Sequence, residues 1–375
     1  MKKHPLFILT IGFIFLFIFC QQQKTIWKGT IEEKDGVIIV KNPKEPIYGE
    51  DIFSLTEDLS IGRAEGQEEY MFSRISSIDV DNEENVYVAD SVSAHIKVFD
   101  RHGQYIRTIG RRGQGPGEMQ MPNYVQITLK NELLVQDMGA RRLLFFALNG
   151  DFLRQDVSGR TGFPLLIKMD SNEIFIGIVI LAPPPLGGKI IQKYDPDFNI
   201  IKTIAEEKQG KRGVFDIGKT SCFCDVSPSD NIIWGDSKEY VLQILNSQGV
   251  LIKRIIKDQN PLRFTEKDKE MYEQRYAEAI QAGYELKLPS HFPAFKDIFV
   301  DEKERIFVQI YQHVEGKEDL FFFEVFDPDG KYIAKVPVLA KLDRNSVWKR
   351  NKFYTIDEDN DGLPVVKRYE IFWIF

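Results

Sequence analysis

Residues 75–110 read ISSIDVDNEENVYVADSVSAHIKVFDRHGQYIRTIG, and this stretch decides the fold. Apolar and polar residues alternate in four short runs, a pattern typical of β-strands with one buried face. Polar turn residues separate the runs: an acidic turn at 81–85, a second turn at 90–95, and Gly103 before the last run. Runs joined by such short turns predict four consecutive antiparallel strands.

The same pattern recurs along the chain. An apolar or aromatic residue marks the second strand of each copy, and these residues are Tyr87, Leu134, Phe175, Ile233, Phe307 and Tyr354. Most intervals between them are close to the roughly 40 to 50 residues of a four-stranded propeller blade. The sequence therefore predicts an all-β fold, a six-bladed β-propeller of four-stranded antiparallel blades.

The longest interval, between the fourth and fifth copies, contains a helical pattern. Acidic residues follow Thr265, apolar residues recur at helical spacing as far as Ile280, and Gly283 comes next. These are the start and stop signals of a helix. We expect one helical insertion, spanning approximately residues 261–290, between blades four and five. The extra length of blade three is at 181–188, where the sequence LAPPPLGG predicts a loop outside the sheet.

The last blade lacks an outermost strand, because few residues follow its third strand at 364–371. Segment 52–61 leads into IGRAEGQ, which is similar to IGRRGQ at the end of blade one, so it predicts the missing strand. An N-terminal strand that closes the last blade removes two open sheet edges. Residues 27–31 and 37–40, on either side of Asp35-Gly36, predict a further hairpin outside the ring.

The N-terminus has the pattern of an export signal. Lys2 and Lys3 precede an apolar run at 5–19 that ends at Cys20, and this run is short for a membrane span. A cysteine directly after the run resembles the lipidation site of a bacterial lipoprotein, in which Cys20 becomes the new N-terminus. Since Phe19 stands where that motif has a small residue, lipidation, an uncleaved signal anchor and ordinary cleavage nearby remain three alternatives.

Composition and charge limit the class of protein further. The chain has 375 residues, of which 43% are hydrophobic and 12% aromatic, so it has a folded core. Its net charge of −7 disfavours nucleic acid as a partner. We expect a signal or anchor at 1–20, an extension with a hairpin at 21–50, and the propeller at 51–375. The expected protein is an extracytoplasmic monomer, periplasmic or at the cell surface, tethered to the membrane by a lipid or signal anchor.

Several phrases in the sequence resemble a known repeat. Residues 113–119 (GQGPGEM), 86–90 (VYVAD) and 98–100 (VFD) are similar to the NHL repeat. The larger frame, which includes 295–301 (FKDIFVD) and 365–369 (VVKRY), resembles bacterial six-bladed β-propeller proteins with lipoprotein-like signals. This resemblance implies the fold and the compartment, and it implies no chemistry.

Two glycine motifs are better explained as turns. Residues 213–220 (GVFDIGKT) match the phosphate-loop pattern, but bulky residues fill the loop and a strand pattern follows instead of a helix. The glycines at 113–117 lie between blades one and two, where Pro116 and Glu118 contradict a dinucleotide fingerprint. Neither motif predicts a nucleotide cofactor.

Metal and thiol chemistry receive little support. Asp357, Asp359 and Asp361 begin like a calcium loop, although Arg368 stands where a bidentate glutamate belongs, so a hairpin turn is favoured over a Ca²⁺ site. No other cofactor is expected. The histidines show no zinc-binding spacing, and they are His4, His95, His102, His291 and His313. Cys222 and Cys224 share one face of a strand, which favours buried thiols over a labile disulfide or a metal site.

The candidate binding residues come from loops at one end of the ring. In an antiparallel blade, the loop between the second and third strands lies at the same end as the connection to the next blade. Asp90 with His95, and Asp137 with Arg142, occupy equivalent second-to-third loops, and Arg111 and Arg112 lie in a blade connection. These residues could bind a polar or anionic ligand at the mouth of the ring. The alternative is an inter-blade ring of salt bridges.

Two functions of different class remain open from the sequence. The first is a non-enzymatic binding or scaffold module that takes a protein, peptide or glycan on one face of the ring. The second is a hydrolase or lyase with its active site in the axial funnel. Titratable groups that converge at the axis would favour the enzyme.

Overall fold

The computed structural model describes residues 26–63, 65–157, 163–312, 314 and 320–374. The signal-like segment at 1–20 with Cys20, and also His4 and His313, lie outside this range. Within it, no helix combines the length and the apolar character that crossing a membrane requires.

The molecule is a six-bladed β-propeller, as the repeat predicted. Before the first complete blade come β1 (Thr30–Lys34), β2 (Val37–Asn42), a 3₁₀ turn (Glu50–Ile52), β3 (Phe53–Ile61) and a 3₁₀ turn (Glu68–Tyr70). Blade one is β4 (Ile75–Val80), β5 (Val86–Asp90), β6 (His95–Phe99) and β7 (Tyr105–Ile109). Blade two is β8 (Pro122–Ile127), β9 (Glu132–Asp137), β10 (Arg142–Ala147) and β11 (Phe152–Val157).

The remaining blades follow in chain order. Blade three is β12 (Leu165–Met169), β13 (Phe175–Ile180), β14 (Lys189–Tyr194) and β15 (Ile200–Glu207), and β16 (Val214–Asp216) follows it. Blade four is β17 (Cys222–Val226), β18 (Ile232–Asp236), β19 (Val241–Leu245) and β20 (Leu251–Lys257). The insertion is α1 (Glu266–Arg275), α2 (Ala277–Gln281) and β21 (Glu285–Lys287). Blade five is β22 (Asp297–Val300), β23 (Ile306–Ile310), β24 (Phe321–Phe326) and β25 (Tyr332–Val338). Blade six is β26 (Val347–Lys349), β27 (Lys352–Glu358) and β28 (Pro364–Trp373), together with β3.

The hydrophobic core is divided among the blade interfaces. Each of six apolar clusters contains residues from two neighbouring blades. The cluster between blades one and two, for example, packs Tyr87 and Val98 against Leu133 and Phe146, all almost fully buried. Because side chains alternate along each strand, every blade contributes one apolar face to each neighbour. This division explains why both faces of the strands are rich in apolar residues.

The N-terminal strand closes the ring, as predicted. β3 pairs antiparallel with β28, with Ile61 opposite Val366 and Phe53 opposite Trp373. The final blade is therefore built from both ends of the described chain. Pairing with β3 covers the edge of β28 that would otherwise be open.

The predicted hairpin is present, but it is not separate from the ring. β1 and β2 meet at Asp35 and Gly36, which both have positive φ as a tight hairpin turn requires. β2 runs parallel to β20, so the hairpin adds two strands to the outer edge of blade four. Its position also fixes Asn42, whose side-chain oxygen accepts hydrogen bonds from the Tyr332 N–H at 2.7 Å and the Trp27 indole at 3.0 Å.

The insertion between blades four and five is helical, as predicted, but it contains two short helices. Thr265 and Asp268 form a capping box at the start of α1. Tyr276, at φ −103° and ψ 15°, interrupts the helix before α2. β21 pairs in parallel with β16, so the segment at 213–220 that matches a phosphate loop contains a short strand followed by a turn. Neither helix buries an apolar side chain, so the apolar residues at helical spacing lie at exposed or partly exposed positions.

Candidate functional site

The innermost strands of the six blades surround a cavity on the ring axis. Its volume is about 430 Å³, and its wall includes residues of β4, β8, β12, β17, β22 and β26. The charged and polar side chains on that wall include Asp79, Tyr124, Gln126, Lys168, Asp225 and Lys349. Since axial cavities of closed β architectures are common ligand sites, this cavity is the candidate functional site.

One repeated position joins the innermost strands to each other. Asp79, Gln126, Lys168 and Asp225 are each the next-to-last residue of the first strand in their blade. Each bonds to the backbone of the following blade. Asp79 accepts from Ile127 N–H (2.5 Å), Gln126 accepts from Met169 N–H (2.8 Å), Lys168 donates to Ser227 C=O (2.8 Å), and Asp225 accepts from Val300 N–H (2.7 Å). These bonds satisfy backbone groups on strand edges that have no neighbouring strand.

Burial changes the acidity of the two axial aspartates. Each also accepts a hydrogen bond from the next residue, Val80 N–H or Val226 N–H. Burial raises the pKa of Asp79 to about 6 and the pKa of Asp225 to about 6, and the backbone donors only partly oppose this effect. Both carboxyl groups therefore change charge close to neutral pH.

The basic side chains at the axis have fewer direct partners than the two axial aspartates. Lys168 donates to a carbonyl, and in the described part of the chain no carboxylate oxygen lies within ion-pair distance of Lys168, Arg344 or Lys349. Both Lys349 and Lys168 lower the pKa of Asp79, which shows that their charges act on the same cavity. Among the described residues, the cavity wall as a whole carries four basic side chains, the fourth being Arg350, and four acidic ones, namely Asp79, Asp225, Asp301 and Glu302.

Further charged groups lie towards the start of the innermost strands. Burial raises the pKa of Asp297, while the charges of Arg344 and Lys189 oppose that rise. Burial lowers the pKa of Lys189, whose ammonium group lies 4.7 Å from the centre of the Phe223 ring. Charged side chains are therefore found at both ends of the innermost strands: Asp297 is the first residue of β22, whereas Asp225 is near the end of β17.

Asp90 and Asp137, expected at the mouth of the ring, organise backbone in equivalent ways. Asp90 is fully buried and accepts from the N–H groups of Ser73 and Arg74, which enter blade one. Asp137 is fully buried and accepts from the N–H groups of Gln120 and Met121, which enter blade two. An aspartate at the end of the second strand thus fixes the connection that leads into its own blade.

The predicted arginines lie in the same region. Arg142 is buried and lies 3.4 Å from Asp137, and it also donates to the carbonyls of Gln114 and Glu118. Arg111 forms an exposed ion pair with Glu118 at 2.9 Å, and Arg112 donates to the Val92 carbonyl. These contacts support a role in holding the connection between blades one and two.

His95 lies directly opposite Asp90 in the sheet. Burial, followed by the nearby Lys97 charge, lowers the pKa of His95, so the ring is neutral at pH 7. Its Nε2 atom is buried and has no hydrogen-bond partner among the residues that the structure describes. None of Asp90, His95, Asp137, Arg142, Arg111 and Arg112 lines the axial cavity. Their part in ligand binding stays a prediction.

The calcium-like residues form a hairpin turn between β27 and β28. Asp359 accepts hydrogen bonds from the N–H groups of Asp361 and Leu363, and Asp357 pairs with Lys367 at 2.9 Å. In the described ranges, no three acidic, histidine or cysteine side chains come together as metal ligands would. Cys222 and Cys224 are both buried free thiols on β17, and burial raises the pKa of Cys222 to about 11.

Sequence reasoning missed the axial set, although a signal for it exists. The first strands end in an apolar residue, then Asp79, Gln126, Lys168 or Asp225, then an apolar residue, then a hydrogen-bonding turn residue. A polar residue inside an apolar strand end, repeated at the same place in four blades, points to a shared position at the axis.

Comparison with known proteins supports the fold. Residues 32–157, about a third of the chain, match the family DUF5128, described as a 6-bladed beta-propeller. No curated protein matches the sequence.

Several solved structures are similar to this chain at low sequence identity. A candidate exported protein of Bacteroides fragilis is 10% identical, with a TM-score of 0.48, over 90% of this chain and 100% of its own. A DUF4221 family member from Bacteroides vulgatus is 10% identical, with a TM-score of 0.49, over 87% and 100%. A gluconolactonase of Xanthomonas campestris is 10% identical, with a TM-score of 0.41, over 80% and 88%.

Proposed function

We propose that this protein is a non-enzymatic binding module that holds a carboxylate or another small anionic group in its axial cavity. The observation that carries the proposal is the cationic set Lys168, Arg344 and Lys349, which faces the cavity with no carboxylate at ion-pair distance among the described residues. The wall has as many acidic as basic side chains, so the proposal depends on these three cations lacking a direct ion-pair partner, which leaves them able to form charge-assisted hydrogen bonds with an entering anion.

The bonding of the axial carboxylates supports binding over catalysis. Both oxygens of Asp79 accept backbone N–H groups, and the same is true of Asp225. A carboxylate held in this way connects blades and is poorly placed to take a proton from a substrate. Ligands that bear a carboxylate include acidic peptides and acidic glycans, and both belong to the classes expected from the sequence.

The alternative function is a hydrolase or lyase that uses the axial cavity. The observation in its favour is the pKa of about 6 for both Asp79 and Asp225, since acid–base catalysts often titrate in this range. This alternative predicts turnover of a substrate with a pH profile that changes near 6 and collapses in Asp79→Asn.

The proposed location is outside the cytoplasmic membrane, with the chain tethered through its N-terminus. The basic and apolar pattern at 1–19 and the cysteine at position 20 support this part of the proposal. The described chain begins after that segment.

Calorimetric titration tests the anion site. N-acetyl-L-glutamate, D-glucuronate and inorganic phosphate are titrated into the wild type, with N-acetyl-L-glutamine as the neutral comparator. Lys349→Met is expected to weaken binding of the anion by roughly tenfold or more, the effect of losing one charge-assisted hydrogen bond. Lys238→Met, which removes an exposed lysine outside the cavity, is the matched control and should bind normally. Equal binding of the neutral comparator, or no effect of Lys349→Met, would contradict the proposal.

A further inference from the structure

The basic side chains of the axial cavity lie at two different levels along the ring axis. Lys168 is the next-to-last residue of β12 and Lys349 is the last residue of β26, so both lie where the innermost strands end. We call these two residues the strand-end pair. Arg344 precedes Val347, the first residue of β26, so it lies where that strand begins. Since all three side chains line the cavity, the cavity extends along the innermost strands from one level to the other.

The length of the innermost strands sets the distance between the two levels. Asp297 is the first residue of β22, and Val300, the last residue of this strand, donates its N–H to Asp225 at 2.7 Å. Three residues of extended strand span roughly 10 Å. One ligand can therefore reach both levels with two anionic groups only if these groups are roughly 10 Å apart.

Lys189 adds a second cation at the level of Arg344. Its ammonium group lies 4.7 Å from the centre of the Phe223 ring, and Phe223 precedes Asp225 by two residues on β17. Burial raises the pKa of Asp297, and the charges of Arg344 and Lys189 both oppose that rise, so both charges act at the start of β22. We call Arg344 and Lys189 the strand-start pair.

Lys189 is buried, and its charge is only partly compensated. Its side chain is 13% exposed, and among the described residues the carboxylate within ion-pair distance is Glu207, with Oε2 at 3.8 Å. That carboxylate already accepts from Lys219 Nζ at 2.8 Å and from the Ser221 hydroxyl at 2.5 Å. The Lys189 ammonium group makes no hydrogen bond to a described residue. A carboxylate of a ligand would supply the missing charge-assisted hydrogen bond.

Carboxylates of the protein also lie at both levels, and backbone groups already bond to them. Asp79 and Asp225 each accept two backbone N–H groups. Asp297 accepts the Ile298 N–H at 2.9 Å. Because these carboxylates reduce the net charge at each level, a ligand gains its affinity from direct contacts with the basic side chains. Such contacts are strongest when the ligand group is an anion.

We infer that the ligand of the axial cavity is an extended dicarboxylate, with one anionic group bound by the strand-end pair and the other, roughly 10 Å away, bound by the strand-start pair. An acidic peptide whose side-chain and C-terminal carboxylates are separated by an extended chain belongs to this class. The inference rests on the anion-binding function proposed above, and it adds the number and the spacing of the anionic groups.

Calorimetric titration of the full chain near neutral pH tests the inference with two pairs of probes. Suberate is compared with its monoamide, 8-amino-8-oxooctanoate, which has the same length and only one carboxylate. Succinate and succinamate form the second pair and are too short to reach both levels. Suberate is expected to bind about tenfold more tightly than its monoamide, or more, because it makes one further charge-assisted hydrogen bond. Succinate and succinamate should differ by less than about threefold.

Variants at the strand-start pair show whether this level supplies the difference. Lys189→Met should remove the advantage of suberate over its monoamide. Arg344→Gln should reduce the same advantage, and it changes an exposed side chain without disturbing the buried contact of Lys189 with Glu207. Lys219→Met is the matched control, because Lys219 pairs with the same glutamate and does not line the cavity. It should keep the full advantage, and the melting temperatures of all three variants are measured alongside.

The results separate a failure of this inference from a failure of the anion site itself. Equal affinity of the wild type for suberate and its monoamide would overturn the inference, and so would an unchanged advantage in both Lys189→Met and Arg344→Gln. If the monoamide still binds in either case and binds Lys349→Met more weakly, the axial anion site stands and only the second level is wrong. If no carboxylate probe binds the wild type, the proposed function fails together with this inference.

Discussion

At the scale of single residues, polar side chains in this propeller serve mainly to join backbone segments. Asp79 and Asp225 bond to the next blade, whereas Asp90 and Asp137 bond to the connection that enters their own blade. The same residue type therefore fixes the inner strands and the outer connections. The axial aspartates differ because they also face a cavity with unpaired cations.

The pH dependence of stability should reveal the buried state of Asp225. Its pKa is about 6 in the folded protein, above its usual value of 3.8, so the folded state binds a proton more tightly than the unfolded state does. Between about pH 4 and pH 6 the wild type should therefore lose stability as pH rises, relative to Asp225→Asn, by on the order of 2 kcal/mol. Urea unfolding of both proteins at several pH values measures the difference. A constant difference would contradict the assignment.

The same titration should affect ligand binding with a definite sign. Below about pH 6 both Asp79 and Asp225 become neutral, which removes two of the four negative charges on the cavity wall. Affinity for N-acetyl-L-glutamate, measured by calorimetry, should increase as pH falls from about 8 to about 5, while the ligand remains ionised. Affinity that is unchanged or falls over this range would count against an anion site at the axis.

A variant of Arg142 distinguishes the two interpretations of the loop residues, an inter-blade ring of salt bridges and a ligand site. Arg142→Ala leaves Asp137 buried without its charged partner and removes hydrogen bonds to two carbonyls, so we expect a loss of about 3 to 5 kcal/mol in unfolding free energy. Anion binding at the axis should survive under conditions where the variant is folded. Unchanged stability combined with lost binding would instead support a ligand role for Arg142.

At the scale of elements, the closing strand and the outer hairpin make different contributions. β3 completes blade six and packs Phe53 in the core, whereas β1 and β2 extend a blade that already has four strands. Deletion of residues 51–60 should abolish cooperative unfolding, because it exposes the edge of β28. Deletion of residues 26–41 should lower the melting temperature and preserve cooperativity. Calorimetric melting curves decide this, and equal effects of the two deletions would contradict the assignment.

Asn42 gives a finer test of how the hairpin is attached. Its side chain accepts a hydrogen bond from the Tyr332 N–H and donates one to the Gly330 carbonyl at 2.9 Å. These bonds join the hairpin on blade four to blade five. Asn42→Ala should reduce stability by about 1 to 3 kcal/mol, since it leaves buried backbone groups unpaired. Chemical denaturation measures the change, and Asn345→Ala, at a partly exposed turn, is a suitable control with little expected effect.

At the scale of the whole molecule, the sequence predicted the ring far better than the site. Alternating strands, turn residues and the echo of residues 109–114 at 61–67 are local patterns, so blade number and closure follow from them. The attachment of the hairpin depends on contacts of Asn42 with residues almost 290 positions away, which no local pattern records. The axial cavity likewise unites one residue from each of several blades, and only the closed ring brings them together.

Membrane tethering is a prediction for the intact protein. If Cys20 is lipidated, metabolic labelling with a fatty-acid probe should tag the wild type, and Cys20→Ser should lose the tag. An untagged wild type that fractionates freely in solution would contradict lipidation.

The most direct test of the anion-binding account is a crystal structure of the protein soaked in the anion that calorimetry shows to bind most tightly. The account predicts the anion in the axial cavity, with an oxygen within hydrogen-bond distance of Lys168, Arg344 or Lys349. An anion bound instead beside Arg111, Arg112 and His95, with the axial cavity filled by water alone, would contradict it.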